Sequence, residues 1–143
     1  MRSKEMAENY LNDAKIILEE AITMFNKRVS HRVIRLCQES VELALKACLR
    51  IVGIEYPRSH DVSDVLAENK NRFPTWFQTE IESLIEASSW LAEKRGPAMY
   101  GDEVGGIPAS RLFTQEDAKQ ALNYAKKTIS LAFKLFKEFY LGD

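Results

Sequence analysis

A chain of 143 residues falls within the size of one domain. Such a chain buries about 68–70% of the surface its unfolded form exposes, so it needs no disulfide or metal staple. With 45% hydrophobic and 29% charged residues the composition excludes a disordered chain, and a formal net charge of −1 excludes whole-surface binding to nucleic acid. Any basic site must be local. No apolar run reaches the length of a membrane span, and the opening MRSKEMAENY lacks the apolar core of a secretory signal. A cytoplasmic location with no membrane partner is therefore expected.

The first predicted helix runs over residues 4–27, with Ser3 as its cap. Ala7, Leu11, Ala14, Leu18, Ala21 and Phe25 recur at steps of four and three, with Tyr10, Ile17 and Met24 alongside. The second, over 30–52, opens at Ser30 and stops at Gly53. Its apolar stripe is Ile34, Cys37, Val41, Ala44, Leu45, Cys48, Leu49 and Val52. Pro57 forbids simple continuation, and Ser59 or Asp61 caps a short third helix over 61–69 that buries Val62, Val65 and Leu66. Phe73-Pro74-Thr75 breaks the chain before a fourth helix over 75–95. Phe77, Ile81, Leu84, Ile85, Ser88, Leu91 and Ala92 form its inner face, and Glu80, Glu82, Glu86 and Glu93 a solvated outer one. Residues 96–113 hold four of the six glycines and two of the four prolines, which predicts a long loop of the functional or mobile kind. Thr114 with Asp117 then opens the last helix, 115–140, as a capping box. Its stripe is Ala118, Leu122, Ala125, Ile129, Ala132, Phe136 and Phe139.

These elements predict an all-α fold, an antiparallel up-and-down bundle of about five helices forming one domain over 1–143. Trp76, Trp90, Leu131, Phe133 and Leu135 widen the apolar surface beyond one seam, which points to a subunit interface and a homodimer. Cys37 and Cys48 lie eleven residues apart on one helix. Their α-carbons are then about 16 Å apart, beyond disulfide reach, and both read as reduced core residues. Two Cys and two His without C-x-x-C spacing give no metal site, and no cofactor motif is present. The Gly105-Gly106 pair is a turn, because no G-K-[ST] follows it, and no nucleophile elbow supports a hydrolytic triad.

The polar side of the second helix carries the chemistry. Arg28, Arg32, Arg35, Glu39, Glu42, Lys46 and Arg50 follow steps of three and four, so they line one face. One reading is a solvated face in which Glu42–Lys46 and Arg35–Glu39 pair weakly, each by about a few tenths of a kcal/mol. The other is a groove whose basic end, Lys27, Arg28, Arg32 and Arg35, receives phosphate. Outside that face, His60 is placed to hydrogen-bond a helix start, His31 reads as an exposed bystander, and Asp102 with Glu103 is a weak cation pair.

The segments CQESVELALKACL, SHDVSDVL and LAEKRGPAMYG together resemble a HEPN domain, a small helical domain of archaea, bacteria and a few eukaryotic proteins. The resemblance rests on Glu42 four residues before Lys46, on the His60-Asp61 pair, and on Arg95 with Tyr100 after the fourth helix. It covers residues 5–138. It implies a dimerising helical bundle, often encoded beside a small nucleotidyltransferase in toxin–antitoxin-like pairs and associated with nucleotide or RNA binding. It also implies phosphate-binding roles for Arg35, Glu42, Lys46, His60, Asp61, Arg95 and Tyr100. Many such domains are metal-independent ribonucleases whose signature is Arg, four to six residues, then His. No arginine here meets that spacing: after Arg95 and a four-residue gap stands Tyr100. Tyrosine, with a pKa of about 10, is a poor base at neutral pH, so a binding role is expected ahead of catalysis. Where partner-modified toxins carry a tyrosine two residues beyond the histidine, this chain has Asp102. Two further readings stand beside the binding role. One is an atypical or degenerate ribonuclease using Arg95 with Tyr100, or with a histidine brought in spatially. The other is a structural dimerisation module.

Overall fold

The structure, a computed structural model, describes residues 2–142. Alanines set how its helices meet. Ala7, Ala14 and Ala21 of α1 (Arg2–Asn26) are fully buried, as are Ala44 and Ala47 of α2 (Ser30–Ile51). Ala118, Ala121, Ala125 and Ala132 are buried likewise in α6 (Gln115–Leu141). Small side chains at a contact bring helix axes to the short end of the usual 8–10 Å range. The close approach also lets Ser40 Oγ donate to the Ala14 carbonyl at 2.7 Å. Between these long helices lie α3 (Ser63–Glu68), α4 (Thr75–Gln78) and α5 (Ile81–Tyr100), with 3₁₀ turns at Lys70–Arg72 and Ala109–Arg111. The described residues form no sheet, and their only β-bridge joins Asp102 to Ile107. The predicted all-α class is the observed one.

The second helix is the axis of the bundle. It packs on α1, α5 and α6, and 13 of its 22 residues are buried. The predicted stripe is all in the core, and Val33, Leu36, Ala47 and Ile51 join it from the flanks. Cys37 and Cys48 are buried free thiols, and burial pushes the Cys37 thiol up to about 12 and that of Cys48 higher still. At the C-terminus of α2, Gly53 takes φ +76°; its N–H donates to the Arg50 carbonyl, and that of Ile54 to Leu49. That pair of bonds is a Schellman motif, as the glycine predicts. The same motif ends α1 with Arg28 at φ +62°, so the tight α1–α2 turn holds a non-glycine residue in the left-handed region.

Several predicted boundaries shift. Ser3 lies within α1, which already includes Arg2. Ser30 is the first residue of α2, following Val29 as cap, and its hydroxyl reaches Gln115 on α6 at 3.3 Å. The third helix starts at Ser63, yet Asp61 still holds that start, because its Oδ1 accepts the Ser63 N–H at 3.0 Å. The predicted helix over 75–95 is two helices separated by a turn at Thr79 and Glu80, and the second of them runs on through Pro97 to Tyr100. Proline removes one donor from the ladder, and buried Ala98 anchors the turn that follows it. Phe139, the end of the α6 stripe, is exposed rather than buried. Its stripe repeats every seven residues, and an α-helix drifts about 20° per heptad, so three heptads carry Phe139 off the buried face. Of the residues read as surplus apolar surface, Leu135 is core, while Trp76, Trp90, Leu131 and Phe133 are half-buried against it.

The glycine-rich stretch is folded, not a free loop. After α5, Gly101 takes φ +76° and the chain turns into a short hairpin. Asp102 and Ile107 exchange both backbone hydrogen bonds, at 2.8 and 3.0 Å. Asp102 Oδ1 accepts the Gly105 N–H at 2.9 Å, which commits this carboxylate to the turn. A β-carbon on Gly101 would lie 2.3 Å from the Ile107 oxygen and 2.9 Å from the Ala109 nitrogen. One on Gly106, also at positive φ, would meet nothing within 4 Å. Gly101→Ala is expected to destabilise the fold by about 1–3 kcal/mol, and Gly106→Ala by less, since it carries the backbone strain alone. Urea denaturation of the two variants beside the wild type measures the difference.

Candidate functional site

Where α2 meets solvent along its one open edge, Gln38, Glu42 and Lys46 stack at successive turns. The chain after α2 brings His60 to this edge, and α5 brings Arg95. Gln38 is 2% exposed, so its amide must be satisfied inside the protein. Its Nε2 donates to Glu42 Oε1 at 2.9 Å and at 3.5 Å to the His60 carbonyl, and its Oε1 accepts from Arg95 Nη1. Glu42 is the hub. Its Oε2 accepts from Lys46 Nζ at 2.8 Å, and its Oε1 accepts from His60 Nδ1, also at 2.8 Å. A carboxylate can only accept, so Nδ1 carries the proton in this arrangement.

Burial works against ionisation of Glu42, but hydrogen bonds from Lys46, Gln38 and His60 outweigh it and hold the carboxyl below its ordinary range. His60, Arg95, Glu42 and Glu39 line one cleft of about 240 Å³, walled on its apolar side by Ile17 and Leu43. Both acidic residues of the cleft have basic partners: Lys46 on Glu42, and Arg35 on Glu39 at 3.8 Å. Among the described residues Arg95 has no carboxylate partner; it is oriented by a neutral amide and keeps its charge for the cleft.

Of the residues singled out on sequence, Glu42, Lys46, His60 and Arg95 therefore come together. His60 does so by bonding Glu42, not the start of a helix. Arg35 stays on the flank with Glu39. Asp61 points elsewhere: its Oδ1 accepts from Ser88 Oγ at 2.8 Å and its Oδ2 from Ser89 Oγ at 3.3 Å, fastening the α2–α3 connection to α5. There too burial disfavours the charge, and bonds from Ser63, Ser88 and Ser89 prevail, lowering the carboxyl's pKa. Tyr100 is 66% exposed. Because α5 continues past Pro97, five residues carry Tyr100 about 140° around the axis from Arg95, onto another face.

Of the basic residues at the start of α2, Arg35 pairs with Glu39. Arg32 lines a small separate cleft with Glu20 and Leu36. Arg50, at the far end of the stripe, donates to the Tyr56 hydroxyl at 2.9 Å and lies over the rings of Tyr10 and Tyr56. Sequence reasoning passes over Gln38. Its one signal is its place a turn before Glu42, at the border of stripe and polar face.

The HEPN domain family profile matches residues 3–135. The chain belongs to the HEPN domain family. Solved structures share the fold. An archaeal HEPN homologue, ST0689, superposes with a TM-score of 0.71 at 23% identity, over 92% of this chain and 98% of its own. TT1696 from Thermus thermophilus does so with a TM-score of 0.73 at 25% identity, over 90% of this chain and 96% of its own. No curated protein matches the sequence.

In this HEPN domain the lowered pKa of Glu42 ties stability to pH. The contribution is full above the unfolded carboxyl value of about 4.3 and is lost as the pH falls through the lower folded value. Glu42→Gln is expected to cost about 1–3 kcal/mol at neutral pH. The gap to wild type narrows as the pH falls through the lowered folded-state value and the wild-type carboxyl takes up its proton. Urea midpoints measured across that range check the sign.

Proposed function

We propose that this HEPN domain binds a phosphate group, of a nucleotide or of RNA, in the cleft between His60 and Arg95, and serves as the binding partner of a small nucleotidyltransferase in a toxin–antitoxin-like pair. The observation that carries the reading is Arg95. A guanidinium steered by a buried amide instead of a carboxylate presents its remaining donors, in a planar fork suited to phosphate, to a cleft whose acidic groups are already paired. Isothermal titration with a nucleoside triphosphate and a short single-stranded RNA is expected to give weak, salt-dependent binding. Arg95→Ala lowers the affinity about tenfold, an ordinary loss for a charge-assisted contact. Tyr100→Ala and Lys126→Glu leave it near wild type. Equal losses at Arg95 and Lys126 would mean diffuse charge and would overturn the site. Co-purification of the native protein reads the nucleotidyltransferase directly.

One observation favours a second reading, metal-independent cleavage of RNA. The Glu42–His60 pair holds an imidazole, 56% exposed, in the same cleft as Arg95. An imidazole beside Arg95 can exchange a proton with bound RNA, a role for which Tyr100, on another face of α5, is not placed. On this reading His60→Ala lowers RNA cleavage about 100-fold or more, and Tyr100→His installs nothing, because position 100 faces away from Arg95. Gel assays in a metal chelator separate the two readings: cleavage absent from wild type leaves binding alone.

A further inference from the structure

The two cationic walls of the cleft come from different segments: Arg95 from α5, and His60 from the connection between α2 and α3. Gln38 ties them at the front, where Oε1 accepts from Arg95 and Nε2 reaches the His60 carbonyl at 3.5 Å. That second bond is long, so it holds the His60 backbone weakly. A stronger tie lies behind. Asp61, the next residue after His60, accepts from Ser88 Oγ at 2.8 Å and from Ser89 Oγ at 3.3 Å. The backbone beyond it joins in, since the Val62 N–H donates to Ser88 Oγ at 3.2 Å and Ser63 Oγ bonds Ser89 Oγ at 2.8 Å. Ser88 is 4% exposed and Val62 wholly buried, so water does not compete for the inner bonds.

Ser88 and Arg95 are seven residues apart on α5. Seven residues are about two turns, so both stand on one face of a single rigid rod, about 10 Å apart along it. Asp61 thus grips the same helix that carries Arg95, and it grips one peptide unit away from His60. Its side chain does not line the cleft itself. A carboxylate suits this post because it only accepts, and hydroxyls and an N–H from Ser63, Ser88 and Ser89 converge on it.

We infer that Asp61 is the positioning residue of the cleft: by fastening the His60 segment to α5 it sets the gap between the imidazole and the Arg95 guanidinium, and through that gap the affinity for phosphate. The ligand in this inference rests on the phosphate-binding reading; the geometry rests on the fold alone. Groups that bind together serve only when held to within about 0.5 Å of their working arrangement. With the rear tie cut, one long hydrogen bond from Gln38 and the Glu42–His60 pair remain to hold a connection that lies outside any helix.

Calorimetric titration with a nucleoside triphosphate, well below each melting temperature, tests the effect on affinity. Asp61→Ala is expected to weaken binding about tenfold, as does Ser88→Ala from the α5 side, and Asp61→Asn, which keeps one acceptor, to weaken it less. A cycle with His60→Ala reads the route: in that background Asp61→Ala lowers affinity no further, while its cost to the thermal melt is unchanged. Proton NMR supplies a readout without ligand. The chain has two histidines, so His31→Gln leaves the ring signals of His60 alone, and these shift when Asp61→Ala is added. Where Asp61→Ala does not fold, Asp61→Asn carries both measurements. A lower melt with wild-type affinity and unmoved His60 signals makes Asp61 a fastener only and overturns the inference. So does an equal loss of affinity with and without His60. Binding that ignores Arg95→Ala overturns the phosphate reading instead, and the His60 signals still decide whether Asp61 sets the gap.

Discussion

Because α2 is enclosed by α1, α5 and α6, a polar side chain on it must find partners within the protein or along the single edge left open. Buried alanines on the neighbouring helices sharpen this constraint, because small side chains let the helices pack closely. Gln38 lies at the margin of that edge yet is 2% exposed, and its buried amide cannot be left unpaired without a cost of about 1–3 kcal/mol. The arrangement at the open edge follows: the amide needs Glu42 and Arg95, the half-buried carboxylate needs Lys46 and His60, and the connection after α2 has to pass close enough to supply the imidazole. The site is thus a product of packing as much as of chemistry.

That origin bears on how the cleft is poised. Arg95 is aimed by a group without charge, so its electrostatic reach is not spent inside the protein. His60 is oriented by a carboxylate that Lys46 already neutralises, so the pair as a whole carries little net field. On the proposed reading, a phosphate entering the cleft meets one strong, directed cation in place of a broad basic surface, in keeping with a chain whose overall charge is close to zero.

Much of this is legible in the sequence, and the parts that are not have physical reasons. The stripes of α1, α2 and α6 are plain because alanine and leucine recur there at helical spacing. Glu42 and Lys46 are visible as a pair, but only the three-dimensional path of residues 58–62 carries His60 across to Glu42, and contacts between residues 18 positions apart leave no periodic trace. Tyr100 is hard to place from sequence because Pro97 reads as a stop; in the fold the helix loses one hydrogen bond there and continues, held by buried Ala98. Gly101 then ends the helix one residue beyond that tyrosine. The split at Thr79 and Glu80 is hidden by apolar residues on both sides that keep the helical count.

The two cysteines have a use that their inertness creates. Cys37 and Cys48 lie in the core of α2, and burial keeps both thiols protonated far above neutral pH. A thiol-specific reagent can modify them only when α2 leaves its neighbours, so the rate of labelling reports the opening equilibrium of the central helix in the unmodified protein. The bundle carries its own probe of when its middle comes apart, and ligands or partner chains that hold it closed will register as slower labelling.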